Sequence, residues 1–230
     1  MKKTHLFFDL DRTLWDFENN SKNALNKIYE AEQLNQYFEH FLEFLSLYKN
    51  INKKLWQAYS KHQITKNQLR DRRFIECFEK KNIKNEQLAK KISDLYIEIS
   101  PQQTKLFPNT LETLSYLKKS NYTLHIITNG FEEVQFKKLK NSKLEDYFTN
   151  VICSEQVGFN KPDKRIFLHA LNVAKTESNK AVMIGDDLKV DILGANQLGI
   201  ETILFDPNNE YGTVFDTHKI QNLIELKKRF

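Results

Sequence analysis

A chain of 230 residues with a formal net charge of +5 has room for one large domain, or for one domain with a substantial insertion. Its hydrophobic content of 40% and charged content of 28% are typical of a soluble globular protein. The basic residues are scattered, which argues against a nucleic-acid polymer as partner, and the modest positive balance suits either a small anionic substrate or a plain solvated surface.

The two cysteines, Cys77 and Cys153, lie far apart without CxxC spacing, so a disulfide framework and a zinc knuckle are both disfavoured. No segment approaches the ~20 apolar residues of a membrane span. The apolar run at the start is interrupted by Asp9 before a signal-peptide core would be complete. We therefore expect a cytoplasmic protein without a membrane partner.

Residues 17–100 are predicted to form a bundle of four or five helices. Residues 1–100 contain neither glycine nor proline, the two strongest breakers of regular structure. Apolar residues recur along 38–45 with the spacing of one helix face. The sequence "TKNQ" at 65–68 has the form of a capping box, which opens a further helix.

From residue 105 onward, strand and helix patterns alternate, which is typical of a parallel, doubly wound α/β sheet. The predicted strands are 4–9, 122–129, 150–154, 181–187 and 201–206, and the predicted helices are 109–120, about 132–140, 163–174, 188–198 and 219–228. We therefore predict a Rossmann-like core over 1–16 and 101–230, with the helical bundle at 17–100 inserted after the first strand.

Polar residues follow the ends of these strands. They are Asp9 and Asp11 after the first, Thr128, Asn129 and Gly130 after the second, Lys161 beyond the third, and Asp186, Asp187 and Asp191 at and beyond the fourth. Each group alone has the composition of a turn. The carboxyl ends of parallel strands meet at one edge of a sheet, where ligands bind, so the complete set predicts one site.

The chemistry of this set favours a metal-dependent phosphate site. Crowded carboxylates repel one another unless a cation lies between them. Hard oxygen ligands without histidine or cysteine select Mg²⁺ rather than zinc, and Mg²⁺ is commonly shared with a substrate phosphate. A lysine and a strand-end hydroxyl complete a cradle for the phosphate.

The stretches "DLDRT", "TNG", "KP" and "GDDLKVD" resemble the four motifs of the haloacid dehalogenase (HAD) superfamily of phosphatases. The helical insertion after the first motif is similar to the C1-type cap of its subfamily I. The longer stretches "FFDLDRTLWDFENNS", "ITNGFEEVQFKKLKNSKLEDYF" and "SEQVGFNKPDKRIF" resemble the bacterial 5′-nucleotidase branch often called YjjG/YfnB-like.

The resemblance implies that Asp9 attacks phosphorus and forms an aspartyl-phosphate intermediate. Asp11 would protonate the leaving oxygen and then activate water. Mg²⁺ would be held by Asp9, the backbone carbonyl of Asp11 and Asp186, while Asp187 or Asp191 would orient its water molecules. The remaining roles follow in the same way: Thr128 and Asn129 bind phosphate oxygens, and Lys161 neutralises the charge that develops during transfer.

Four residues are less determined by the resemblance. Arg12 stands where relatives commonly carry a small or acidic residue, and it either meets a polyanionic substrate or points to solvent. His62 stands where relatives often have glycine at a cap turn. Arg73 is the candidate for a substrate contact from the inserted helices, and Trp15 is either a second candidate or a packing residue near the hinge.

The resulting hypothesis is a Mg²⁺-dependent nucleoside 5′-monophosphate phosphatase that prefers pyrimidines. The alternatives are a sugar-phosphate phosphatase or phosphoglucomutase-like enzyme, which would share this core, and a non-catalytic binding protein on the same fold. The expected partner is a small phosphorylated metabolite, and the expected state is a monomer or a small homo-oligomer.

Overall fold

The computed structural model describes residues 2–212 and 217–230. Within them, six parallel strands form one sheet in the order β3-β2-β1-β4-β5-β6. The strands are β1 His5–Phe8, β2 Thr123–Thr128, β3 Asn150–Cys153, β4 Ala181–Gly185, β5 Glu201–Phe205 and β6 His218–Ile220. The predicted doubly wound parallel sheet is thereby confirmed.

The α-helices cover ten segments of the described residues: α1 Phe17–Ala31, α2 Phe41–Ser60, α3 Lys66–Glu79, α4 Glu86–Ile99, α5 Thr110–Lys119, α6 Glu132–Asn141, α7 Ser154–Val157, α8 Lys164–Val173, α9 Leu193–Asn196 and α10 Leu226–Arg229. A π-helical turn, Leu188–Ile192, runs directly into α9. Among the described residues, no helix is both long enough and apolar enough to span a bilayer.

The prediction of one helix over 219–228 is wrong at its start. Residues His218–Ile220 pair with β5 as a strand, and helical structure begins only after Asn222. Asn222 and Glu225 form a capping box at that point, and this Asn-x-x-Glu pattern is visible in the sequence. The apolar spacing led to a predicted helix start that lies before the Asn222 cap.

The chain divides into two compact units: Met1–Phe17 with Thr104–Phe230, and Glu18–Gln103. The second, helical unit contains α2, α3, α4 and most of α1. Its interior is aromatic, with the buried rings of Phe38, Phe44, Tyr48 and Phe74 in mutual contact. The predicted capping box at Thr65 and Gln68 is confirmed as the start of α3.

The sheet unit has an apolar core on each face of the sheet. Successive strand side chains point to opposite faces, so Leu6 and Phe8 enter one core while Phe7 enters the other. Helix α5 covers the first core through Leu114 and Leu117, and α8 covers the second. Burial on both faces explains why β1 reads as a continuous apolar run.

The central position of β1 determines where its carboxyl end lies. Phe8 is level with Ile126 of β2 and with Ile184 of β4, so all three strands end at similar heights. The backbone N–H of Asp9 still donates to the carbonyl of Ile184 (2.9 Å). Residues that follow β1, β2 and β4 are therefore brought to one edge of the sheet.

Toward the opposite end, β1, β2 and β3 carry a row of polar side chains centred on the buried His125. The Asn150 amide lies 3.0 Å from Nδ1 of His125, whose Nε2 lies 3.0 Å from Nδ1 of His5. If the amide donates, His125 is a neutral ring that donates from Nε2 to His5. Burial, with a smaller contribution from His5, lowers the pKa of His125 to about 4.

These hydrogen-bonded side chains predict a loss of folding stability at acidic pH. Unfolded histidine has a pKa of about 6.5, so the unfolded state binds the proton more tightly and stability falls as the pH drops from about 6.5 toward 4. We expect His125 alone to remove about 2 kcal/mol from the free energy of unfolding between pH 8 and pH 5. Urea unfolding of His125→Gln at both pH values should show a smaller loss.

The exposed His169 provides the matched control. His169→Gln should keep the wild-type difference between pH 8 and pH 5. An equal pH dependence in His125→Gln and the wild type would contradict the assignment.

Candidate active site

Lys161 joins two aspartates at the carboxyl edge of the sheet. Its Nζ lies 2.7 Å from Oδ1 of Asp9 and 2.6 Å from Oδ1 of Asp191. A third bond, to the carbonyl oxygen of Ile127, is 2.7 Å long. The Lys161 side chain is only 2% exposed, so its ammonium is enclosed by the protein, where it forms hydrogen bonds with Asp9 and Ile127 and an ion pair with Asp191.

Asp186, one residue past β4, adds a further carboxylate to this group. Oxygens of Asp9, Asp186 and Asp191 all lie within 4.8 Å of one another. The hydroxyl of Thr13 lies 3.4 Å from Asp9 Oδ2 and 3.4 Å from Asp186 Oδ1, so it bridges the two strand ends. Three carboxylates face one buried lysine, which leaves an excess of negative charge.

The protonation of these carboxyl groups reflects that excess. Burial raises the pKa of Asp9 to about 7, with Lys161 opposing the shift and Asp191 adding to it. Burial, Asp9 and Asp191 also raise the pKa of Asp186. Burial by itself would lower the pKa of Lys161, but Asp191 and Asp9 outweigh it and raise that pKa above its usual value. A cation among the three carboxylates would favour their ionised forms.

Asp191 reaches the cluster because Gly185 has no side chain. A Cβ at position 185 would lie 2.4 Å from Oδ2 of Asp191. Asp187 caps the turn that carries Asp191, since its Oδ1 accepts from the backbone N–H groups of Lys189 (2.8 Å) and Val190 (2.9 Å). The Asp187 N–H in turn donates to Asp191 (3.1 Å), so this carboxylate shapes the loop around Asp191.

Thr128, the last residue of β2, and Asn129, which follows it, were both predicted to bind phosphate oxygens. The Asn129 side chain instead bonds twice to the backbone of Lys161: its Nδ2 donates to the carbonyl oxygen (3.0 Å) and its Oδ1 accepts from the N–H (2.8 Å). This assigns the Asn129 amide to fixing the Lys161 backbone, next to the cis peptide bond with Pro162. The buried hydroxyl of Thr128 accepts from the Gly130 N–H (3.1 Å).

The side chain of Asp11 contacts two residues that the motif analysis missed. Lys138 Nζ lies 2.6 and 2.9 Å from the two Asp11 oxygens, and Gln135 Nε2 donates to Asp11 Oδ2 (3.0 Å). Gln135 and Lys138 are three positions apart in α6 and hence share a face. A Gln-x-x-Lys pair in the helix directly after the "TNG" strand end was the available signal.

Arg12 has an unusual backbone for its residue type. Its φ is 70°, in the left-handed region that favours glycine. This conformation gives a physical reason for a small residue at the position. The exposed Arg12 guanidinium lies over the ring of Phe17 at 4.3 Å, and its charge lowers the pKa of Asp186 against the larger effects of burial and neighbouring carboxylates.

The two residues predicted as possible substrate contacts are buried. Trp15 is 0% exposed, and Nζ of Lys138 lies 4.2 Å from its ring centroid, which gives Trp15 a packing role. Arg73, in α3 of the helical unit, is 4% exposed and lies 5.1 Å from the ring of Tyr96. His62, at the end of α2, has a φ of 56°, which explains why glycine would suit that turn.

A family model described as haloacid dehalogenase-like hydrolase matches residues 6–205. The chain is 30% identical to pyrimidine 5′-nucleotidase YjjG of Escherichia coli K12, over 97% of this chain and 99% of the relative. It is also 31% identical to ribulose-1,5-bisphosphate 5-phosphatase of Halopiger xanaduensis, over 90% of this chain and 86% of the relative.

Among solved structures, the HAD-hydrolase YfnB from Bacillus subtilis bound to magnesium aligns with a TM-score of 0.88 at 25% identity. The alignment covers 100% of this chain and 99% of that one. Movement between the domains of YfnB has been described for that crystal form. The likeness therefore extends over both compact units of the present chain.

The buried ion group predicts a large effect of removing its lysine. Lys161→Met leaves Asp9 and Asp191 facing each other without their cation, and we expect the free energy of unfolding at pH 8 to fall by about 3 kcal/mol. Urea unfolding measures this loss. Lys164→Met, at an exposed lysine of α8, should change stability by less than about 0.5 kcal/mol. Equal effects of the two substitutions would contradict the account.

Proposed function

Since the chain belongs to the haloacid dehalogenase-like hydrolase family, we propose that it is a phosphomonoester hydrolase whose nucleophile is Asp9. The carrying observation is the placement of one Asp9 oxygen 2.7 Å from the buried Lys161 ammonium, beside the carboxylates of Asp186 and Asp191. This arrangement orients one carboxylate at a strand end and supplies positive charge next to it.

In the first half of the proposed reaction, a carboxylate oxygen of Asp9 bonds to phosphorus and the bond to the leaving oxygen breaks. The leaving oxygen takes a proton from Asp11, which must carry one at this step; the negative charge of the phosphate bound beside Asp11 would favour that protonated form. In the second half, Asp11 takes a proton from water as the water oxygen bonds to phosphorus, and the bond between Asp9 and phosphorus breaks. Inorganic phosphate and an alcohol are the products.

Two groups in the site suit the phosphate itself. Lys161 is fixed by three acceptors and carries its charge at the sheet edge, where it would stabilise negative charge that grows on the phosphoryl oxygens. Thr128 ends the neighbouring strand, and its hydroxyl accepts a hydrogen bond from the backbone N–H of Gly130. Asn129 contributes by holding the Lys161 backbone in place.

The donor set fits Mg²⁺. Asp9, Asp186 and Asp191 offer only carboxylate oxygens; burial is the largest cause of the raised pKa values of Asp9 and Asp186, and the neighbouring carboxylates add to it. We propose that Asp9 and Asp186 hold the ion directly, with Asp191 beside them and shared with Lys161. When bound, Mg²⁺ would neutralise part of the phosphate charge during transfer.

We propose a nucleoside 5′-monophosphate, with a pyrimidine preferred, as the substrate. The support is the similarity to the Escherichia coli pyrimidine 5′-nucleotidase along nearly the whole chain. A sugar phosphate is the second candidate, supported by a similar level of identity to the ribulose-bisphosphate phosphatase. The helical unit, inserted between β1 and the rest of the sheet unit, is proposed as the cap that selects between them.

Binding of Mg²⁺ should reverse the order of stability of the wild type and Asp186→Asn. Asp186→Asn removes one repelling carboxylate, so without divalent ions it should unfold at a higher temperature than the wild type. At about 100 times the Kd, the ion should add about 2.7 kcal/mol to the wild type and much less to the variant. Thermal unfolding with EDTA and with Mg²⁺ measures both quantities.

The exposed Asp146 is the matched control, and Asp146→Asn should respond to Mg²⁺ as the wild type does. An Asp186→Asn protein that gains as much stability from Mg²⁺ as the wild type would contradict the proposed site.

Phosphate release from a panel of esters tests the activity. We expect turnover of pyrimidine 5′-monophosphates to exceed that of purine nucleotides and sugar phosphates, and EDTA to abolish it. Asp9→Asn should lower kcat by at least about 10³-fold while remaining folded. Higher turnover of sugar phosphates would exchange the two candidate substrates, whereas wild-type kcat in Asp9→Asn would overturn the mechanism.

A further inference from the structure

The ammonium group of Lys138 is buried beside Asp11. Its Nζ contacts both oxygens of the Asp11 carboxylate, at 2.6 and 2.9 Å. Lys138 as a residue is 4% exposed. The ring of Trp15 lies on another side of the ammonium, with its centroid 4.2 Å from Nζ. A buried lysine is unfavourable unless its charge is matched, and here a carboxylate and an aromatic face match it.

Gln135 supplies the second contact. Its Nε2 donates both to Asp11 Oδ2 (3.0 Å) and to the hydroxyl of Thr128 (2.7 Å), and the residue is 0% exposed. One amide nitrogen therefore links the proposed proton donor to the proposed phosphate-binding residue.

This contact requires the absence of a side chain at Gly130. A Cβ there would lie 2.4 Å from Cδ of Gln135 and 2.5 Å from its Nε2. Such distances are far below van der Waals contact, so any other residue would displace the amide. The glycine of the "TNG" segment thus leaves the space that the Gln135 side chain occupies.

We propose that Gln135 and Lys138 are positioning residues that fix the Asp11 side chain at the place where, once protonated beside the bound phosphate, it gives its proton to the leaving group. A free aspartate side chain has several rotamers, whereas three bonds from two buried donors select one. Both donors come from α6, a regular helix that begins just after β2, so the position of Asp11 is tied to that of Thr128. The inference rests on the proposed function, because it assumes that Asp11 serves a phosphoryl transfer.

The dependence on the leaving group separates positioning from general structural support. A nucleoside leaves as a poor, strongly basic alkoxide and needs a proton, whereas 2,4-dinitrophenolate leaves without one. A displaced Asp11 should therefore slow only the first ester, and a 1 Å displacement of a catalytic group is sufficient for a loss of about 10²-fold. General damage to the fold would slow both esters.

The experiment measures release of the alcohol or phenol in the first turnover, by rapid quench with enzyme in excess. Lys138→Met should lower the rate about 10²-fold with a nucleoside 5′-monophosphate and less than about 3-fold with 2,4-dinitrophenyl phosphate. Lys137→Met, at an exposed lysine of the same helix, should match the wild type with both esters. Equal losses with the two esters in Lys138→Met would overturn the inference.

Two further variants keep the test decisive. Gln135→Met removes one bond to Asp11 without changing charge, and it should show the same selective loss to a smaller degree. It takes the place of Lys138→Met in the test if that variant does not fold. In an Asp11→Asn background, Lys138→Met should have no further effect on the nucleotide rate, because both changes act through one group. Full additivity of the two losses would also overturn the proposal.

Failure of the proposed function gives a different result. In that case the wild type itself would release no alcohol from any ester, and the Lys138 comparison would have no rate to compare. Wild-type turnover with equal losses would leave the hydrolase assignment intact and reject only the positioning role.

Discussion

The buried ion group formed by Asp9, Lys161 and Asp191 is the interaction on which the rest of the site depends. The Lys161 ammonium lies 2.7 Å from Oδ1 of Asp9 and 2.6 Å from Oδ1 of Asp191, almost without solvent. Removing charges from water is unfavourable, and their mutual attraction offsets this only with good geometry and complete hydrogen bonding. The carbonyl of Ile127 contributes a hydrogen bond to the ammonium, and the Asn129 amide holds the Lys161 backbone.

The parallel sheet explains why residues so distant in sequence meet. Strand β1 lies between β2 and β4, so Asp9, Thr128 and Asp186 leave the same edge of the sheet. Glycine at 130 and at 185 lets a second layer of side chains, Gln135 and Asp191, come close behind them. The strand ends thus carry the reacting groups, and the helices that follow carry the groups that hold them.

Residue types and spacing were sufficient to predict five of the six strands, the inserted helical block and the aspartates and lysine that converge. They were insufficient where a side chain had more than one available partner. The bonds between the Asn129 amide and the Lys161 backbone were not predicted. The capping bonds of the Asp187 carboxylate were not predicted either. The Lys138 contact was not predicted because a lysine on a surface helix is ordinarily solvated, and only tertiary packing against Trp15 buries this one.

The central claim, that Asp9 forms a covalent bond to phosphorus, is tested most directly by trapping the intermediate. Borohydride reduces an aspartyl phosphate to homoserine, which mass spectrometry of a proteolytic digest locates within the chain. During turnover of a nucleoside monophosphate, homoserine is expected at position 9 and nowhere else. Homoserine at Asp186 or Asp191, or an unmodified chain under conditions of rapid turnover, would contradict the account.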